Sequence, residues 1–241
     1  MREEITKLQD FINHMVNGKA TIKVLEAGCG STSRLHFFGK EVYMTGIDVS
    51  ERQLQRNANL NEKILGDIQD YDFRPSSFDV IVCWDVLEHL PNPPKALHSF
   101  ASAAKEEGII ILKAPNVFSL KGLLTKYLPY PTHVLIYRYL AGRKSAGEEN
   151  TGPFKSYLKF SIAPNAIKNF AGNNGLRVVY FDTYDVLTTY NWINRNKIAR
   201  TIYKMLKVFL GFVSFGNIND SEFIIVLQKA TGQKATSYEH I

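Results

Sequence analysis

The stretch Val24–Ser33, Val-Leu-Glu-Ala-Gly-Cys-Gly-Ser-Thr-Ser, constrains this chain more than any other. It reads as a buried strand running into a glycine turn, with a short helix expected over Thr32–Phe38. Gly28 and Gly30 have no Cβ, so the backbone can turn sharply there and come close to a ligand. Glu26 puts an acid at the carboxyl end of that strand, the edge at which open α/β sheets bind their ligands.

The elements on either side follow from periodicity and punctuation. Ile5, Leu8, Ile12 and Met15 predict an amphipathic helix over residues 3–16, ended by Asn17-Gly18. Strands are expected at 22–27, 41–47, 63–66, 80–84 and 109–113. The run Val80–Trp84 is unbroken and apolar, as a parallel strand covered on both faces requires. Ser50 and Gln53 have capping-box spacing and begin a helix over 51–58. A second helix is expected from about 94 to 106, ended by Gly108. Strands alternating with helices at short intervals argue for a parallel sheet with helices on both faces.

The second half is less regular. Ala163–Ala171 predicts a helix with Pro164 in its first turn. Asn173-Asn174-Gly175 turns into a strand over Leu176–Tyr180, residues 192–213 form a basic apolar helical stretch, and Glu222–Gln228 is a last strand. The polar tail 231–241 is expected to be disordered.

Composition narrows the class. With 45% hydrophobic residues the chain can bury a real core, and a net charge of +6 is mild enough to be solvated lysines. Cys29 and Cys83 are the only cysteines and lack metal-ligand spacing, so neither a disulfide framework nor a metal site is expected. The pairing of free cysteines with no leader-like or membrane-spanning run sets the expectation of a cytoplasmic protein.

A glycine turn alone is a weak signal, but further acids fall in register with it. Asp48 lies 20 residues beyond Gly28 at the end of the second strand, where a carboxylate can accept bonds from ribose hydroxyls. Asp67, after Gly66, can accept from an exocyclic adenine amine. Glu26 occupies a position that a nicotinamide fold keeps small or apolar, and an acid there suits a cationic cofactor. A nicotinamide-dependent oxidoreductase and a non-catalytic cofactor-binding module are the alternative readings. Glu26, Asp67 and the absence of a third small residue in the turn weigh against the first, and the intact acid-glycine pattern against the second.

The segments Val24–Gly30, Gly46-Ile47-Asp48-Val49-Ser50, Gly66-Asp67-Ile68 and Phe78–Leu90, the last ending Trp84-Asp85-Val86-Leu87-Glu88-His89-Leu90, together resemble the class I S-adenosylmethionine-dependent methyltransferases. The resemblance is to their small-molecule branch, which includes the quinone O-methylases. It covers residues 20–115 and continues more weakly through 160–180. Where many members carry a third glycine, this chain has Thr32.

The resemblance implies a Rossmann-like, mostly parallel seven-stranded sheet with helices on both faces and an antiparallel last strand. It implies one domain over 1–230, with a core of 20–115 and 160–230 and helical insertions after strands five and six, at about 116–160 and 185–217. The implied cofactor is S-adenosylmethionine. Gly28 and Gly30 would pass close to its methionine part, Glu26 would reach its amino group, and Asp48 would hold the ribose with Val49 against the adenine. Asp67 and the backbone of Ile68 would read the adenine edge, and Cys83, Trp84 and His89 would complete the cofactor side.

A general base helps a hydroxyl acceptor, and His89 and His133 are the two candidates. The first insertion offers Tyr130, His133 and Tyr137 toward the acceptor, since aromatics with polar tips suit a pocket wall. The second carries Ile198, Ile202, Leu206, Leu210 and Val213 on one stripe, interleaved with Arg195, Lys197, Arg200, Lys204 and Lys207. A lid helix and a helix at a membrane surface both fit that pattern. The acceptor class expected is a small, lipid-linked or glycan-type molecule, with O-methylation favoured. No nucleic-acid partner is expected, because the cations cluster with apolar residues rather than along a phosphate track.

Overall fold

The computed structural model describes residues 2–37, 41–140, 144–148, 154–185, 197–213 and 220–232. Seven strands form one sheet: β1 Thr21–Ala27, β2 Glu41–Asp48, β3 Glu62–Leu65, β4 Phe78–Trp84, β5 Ala104–Pro115, β6 Leu176–Tyr184 and β7 Glu222–Lys229. Their order is β3-β2-β1-β4-β5-β7-β6. The pairs β1–β2, β1–β4, β2–β3 and β4–β5 are parallel, and β7 runs antiparallel between β5 and β6. The chain winds outward from β1 to β3 and then returns to lay β4 on the other side of β1. That reversal opens a crevice at the carboxyl ends of β1 and β4.

Strand alternation divides the core into two layers. Leu25, Ala27, Ile81, Cys83, Ile110, Leu112, Phe223 and Ile225 face one side, covered by α3 (Pro93–Ala103) and α6 (Pro164–Asn173) through Leu97, Phe100 and Ile167. Ile22, Val24, Val80, Val82, Ile109, Ile111 and Ile224 face the other, covered by Leu8 and Ile12 of α1 (Arg2–Met15). The spacing that predicts α1 is therefore the spacing that buries it.

Several boundaries differ from the sequence expectation, each for a local reason. No helix forms over 32–37, and Phe38 lies outside the described residues. Ser33 spends its hydroxyl on Glu26, the His36 N–H donates to Gln9 on α1, and Leu35 is pinned in the α1 layer, so the backbone runs irregularly. Helix α2 spans only Glu51–Arg56, and Ser50 makes no side-chain cap bond. Asp48 takes the Ser50 N–H instead, and the Gln53 side chain turns toward the glycine loop.

Helix α3 ends at Ala103, and β5 begins at once rather than after Gly108. The Ser76 and Ser77 amides pair with the Ser102 and Ala103 carbonyls, drawing the chain back to the sheet. Gly108 lies within β5, where a Cβ would stand 2.8 Å from the Lys105 carbonyl oxygen. Strand β6 runs on to Tyr184 past an irregularity between Val178 and Tyr180. The insertion after β5 holds α4 (Leu120–Tyr127), α5 (Tyr130–Leu135) and a π turn over Ile136–Leu140. The one between β6 and β7 holds α7, Lys197–Val213, while residues 192–196 and 233–241 lie outside the described residues.

Candidate functional site

The crevice at β1 and β4 is shaped by backbone before side chains. After Ala27 the chain turns with φ of +70° at Gly28 and +56° at Gly30, a region open to glycine at no steric cost. A Cβ on Gly28 would also lie 2.4 Å from a methyl of Val86, so both conformation and space demand glycine there. The Gly28 and Cys29 amides donate to the Ile47 carbonyl of β2 at 2.8 and 3.2 Å. The Gly30 amide donates to Asp48 Oδ2 at 2.9 Å, and Ser50 N to Asp48 Oδ1 at 2.8 Å. Asp48 thus clamps the glycine turn to the start of α2. Each of its oxygens keeps acceptor capacity for a further donor.

The turn encloses a cavity of about 150 Å³, lined by Glu26, Gly28, Gly30, Arg34, Gln53 and Trp84 among others. Glu26 is 4% exposed and accepts a 2.6 Å bond from the Ser33 hydroxyl. Burial pushes its carboxyl above the usual range, and the Ser33 bond opposes part of that rise. A buried acid beside two bare glycines can take up a cationic ligand group, whose charge would lower the cost of ionising the carboxylate.

Asp48, Val49, Asp67 and Ile68 stand outside the cavity lining. Val49 is 72% exposed, and Ile68 is buried in the core, leaving its backbone as its polar resource. Gln69 donates to Asp67 through its backbone amide at 2.8 Å and its side-chain Nε2 at 3.1 Å, while its side-chain Oε1 accepts from the Asn92 amide at 2.8 Å. Cys83 is wholly buried between Ala27 and Leu112, and burial holds its thiol well above the usual range. Burial also pushes the Cys29 thiol up to about 12, so both cysteines are neutral. Trp84 lines the cavity from β4.

His89 is not among the cavity-lining residues. Its Nδ1 lies 2.8 Å from the Lys155 carbonyl oxygen, and the neighbouring Glu88 carbonyl accepts the Tyr157 and Leu158 amides. His89 therefore helps to hold the segment 154–158. His133 sits on α5 with a buried Nε2 that has no hydrogen-bond partner. Tyr130 is exposed on the same helix, and Tyr137 follows in the π turn.

Beyond these residues the structure adds Ser33, Arg34 and Gln53 to the crevice, and an ionic cluster next to it. Lys113 Nζ bonds Asp85 and, at 2.6 Å, Glu222; Lys121 bonds the other Glu222 oxygen. Asp85 has φ of +57° and donates its amide to the Lys113 carbonyl at 3.0 Å. Burial alone would raise Glu222, but Lys113 and Lys121 outweigh it and hold that carboxyl below its usual range. The signal for this cluster was a lysine ending one apolar strand and a glutamate beginning another, in strands whose pairing is not written in either segment.

With this geometry in view, the comparisons with known proteins are consistent. A family model described as a methyltransferase domain matches residues 1–180. The ubiquinone biosynthesis O-methyltransferase of Azoarcus sp. is 30% identical over 193 residues, covering 74% of this chain and 75% of that protein. Its namesake from Idiomarina loihiensis is 32% identical over 116 residues, 44% of this chain and 47% of the relative. Among solved structures, an S-adenosylmethionine-dependent methyltransferase from Archaeoglobus fulgidus superposes with a TM-score of 0.53 at 18% identity, covering 95% of this chain and 94% of that one. Phosphoethanolamine N-methyltransferase 2 of Haemonchus contortus, solved with S-adenosylmethionine, gives 0.53 at 15% identity over 94% of this chain and 53% of its own. The two structural likenesses speak for the fold, and the family match over three quarters of the chain speaks for more: this chain belongs to the methyltransferase domain family and is an S-adenosylmethionine-dependent methyltransferase.

Proposed function

We propose that the chain methylates an oxygen of a small amphiphilic acceptor, working in the cytoplasm. One observation carries the cofactor side: the buried Glu26 carboxylate facing a cavity floored by Gly28 and Gly30. In this reading Glu26 takes the amino group of S-adenosylmethionine, and the two glycines let the backbone approach its methionine part. Asp48 accepts from the ribose hydroxyls, and Val49 lies against the adenine. Asp67 and the Ile68 amide read the adenine edge. The Cys83 carbonyl and Trp84 close the β4 side, with His89 at the rim. The bound cofactor supplies an electrophilic methyl group on a sulfonium.

The oxygen acceptor is supported by the names of the Azoarcus and Idiomarina relatives. Of the two candidate bases we favour His133, whose buried Nε2 has no hydrogen-bond partner, whereas His89 Nδ1 is committed to Lys155. Tyr130 and Tyr137 would then flank the acceptor.

Calorimetric titration tests the cofactor side. Glu26→Gln keeps the shape and removes the charge, so S-adenosylmethionine affinity should fall by about 1.5–3 kcal/mol, the worth of a hydrogen bond to a charged group. Unchanged affinity in a folded variant would remove Glu26 from the reading. For the acceptor, labelled cofactor is incubated with cell extract and the label followed. Label in ether-linked small lipophilic products supports oxygen transfer, and label confined to amines or macromolecules overturns it.

A further inference from the structure

Helix α7 is turned the wrong way for a helix that merely covers a core. Among the described side chains its inward contacts are polar: the Tyr203 hydroxyl bonds Asp185, and Lys207 Nζ lies 3.0 Å from Asp185 and 2.6 Å from Asp220. Tyr203 is 8% exposed, so this side is the one held against the protein. The outward side is apolar. Ile198, Ile202, Met205 and Phe209 recur at helical spacing and are 72%, 53%, 67% and 62% exposed. Leu206 and Val208 widen the stripe to an arc of roughly 160°, at about 100° per residue, in which Thr201 turns its hydroxyl onto the Lys197 carbonyl at 2.9 Å.

The charges on α7 say what covers that arc. Its 17 residues contain no Asp or Glu. Lys197, Arg200 and Lys204 are exposed and lie along one side of the helix between the apolar arc and the inward face. A second copy of the chain would bring the same cations to the contact with no acid to meet them. An anionic lipid surface meets both needs, taking the apolar arc among its acyl chains and the cations among its headgroups. Among the described residues no helix is long and apolar enough to cross a membrane, so α7 would lie in the plane of the surface.

We propose that α7 is a membrane-surface helix that seats the enzyme on anionic bilayers. The helix joins the end of β6 to the start of β7, which is the sheet edge that also carries the cavity. α7 therefore belongs to the connection at the crevice end of the sheet. The inference stands on α7 itself and does not depend on which acceptor is methylated.

The test is flotation of the full chain with vesicles of phosphatidylglycerol and phosphatidylcholine, and with phosphatidylcholine alone. The protein should float with the anionic vesicles, less so as salt rises. Met205→Asp combined with Phe209→Asp should abolish flotation. Arg200→Gln combined with Lys204→Gln, at positions that cannot disturb the fold through packing, should weaken binding by roughly fivefold per side chain. Titration with S-adenosylmethionine in solution should be unchanged in both variants, which separates lipid docking from cofactor binding. No flotation of the wild-type chain overturns the proposal. So does a wild-type dimer that the aspartate variant splits, or equal flotation of all three proteins.

Discussion

Two ammonium groups and three carboxylates meet beyond the carboxyl ends of β4 and β5. Lys113 and Lys121 are matched by Asp85 and Glu222, which leaves Glu88 as the surplus acid. Glu88 is 6% exposed, and its Oε2 has no hydrogen-bond partner. Burial, and then the charge of Asp85, push its pKa to about 8 from an ordinary 4.5. Below the ordinary value Glu88 holds its proton folded and unfolded alike, and its titration costs nothing. As pH rises from there to about 8, the unfolded chain has released a proton that the fold still keeps, so stability falls across that window. Glu88→Gln should remove this slope and gain stability over the wild type at pH 9 relative to pH 6. Urea midpoints at the two pH values measure it, and parallel midpoints in the two proteins would mean that Glu88 is already ionised in the fold at pH 6.

At the scale of elements, Glu222 ties the first residue of β7 to the end of β5 and to α4. Glu222→Gln should cost about 3–5 kcal/mol in denaturant unfolding, because it leaves the buried Lys113 ammonium with Asp85 alone and takes from the half-buried Lys121 the carboxylate it bonds. Replacing Lys113 and Lys121 by Met and Glu222 by Leu together should recover most of that, since the cluster's value lies in mutual compensation rather than in each charge. Nothing in either segment announces this dependence. Lys113 and Glu222 stand 109 residues apart, and only the insertion of β7 beside β5 brings them together. Local pattern was enough for β1, β4 and α1, where apolar runs and helical spacing agree with the burial they produce. It was not enough where a tertiary bond competes with a local one. Ser50 has the right neighbours for a capping box, yet Asp48 claims its amide; Ser33 sits in a helical-looking run, yet Glu26 claims its hydroxyl. In the candidate site, Gly28, Gly30 and Glu26 could be singled out because their chemistry is written in ten contiguous residues. Arg34 and Gln53 could not, because only the fold turns them toward the cavity.

At the scale of the whole molecule, the cavity and the end of the chain are linked through the sheet. The family match closes at residue 180, inside β6, but β6 reaches the rest of the sheet only through β7. Phe223, Ile225 and Leu227 of β7 fill one core layer and Ile224 and Val226 the other, all fully buried. At about 1.5–3 kcal/mol for each such side chain, their loss approaches or exceeds the entire stability of an ordinary domain, about 5–15 kcal/mol. A chain ending at residue 219 should therefore lose its cooperative thermal transition and its affinity for S-adenosylmethionine. It should do so although β7 stands three strands from β1 and contributes nothing to the cavity lining. Circular dichroism through a thermal ramp, paired with calorimetric titration, measures both. Retained cofactor affinity in the shortened chain would show instead that β1 to β5 hold the crevice by themselves, with β6 and β7 serving only the insertion that carries α7.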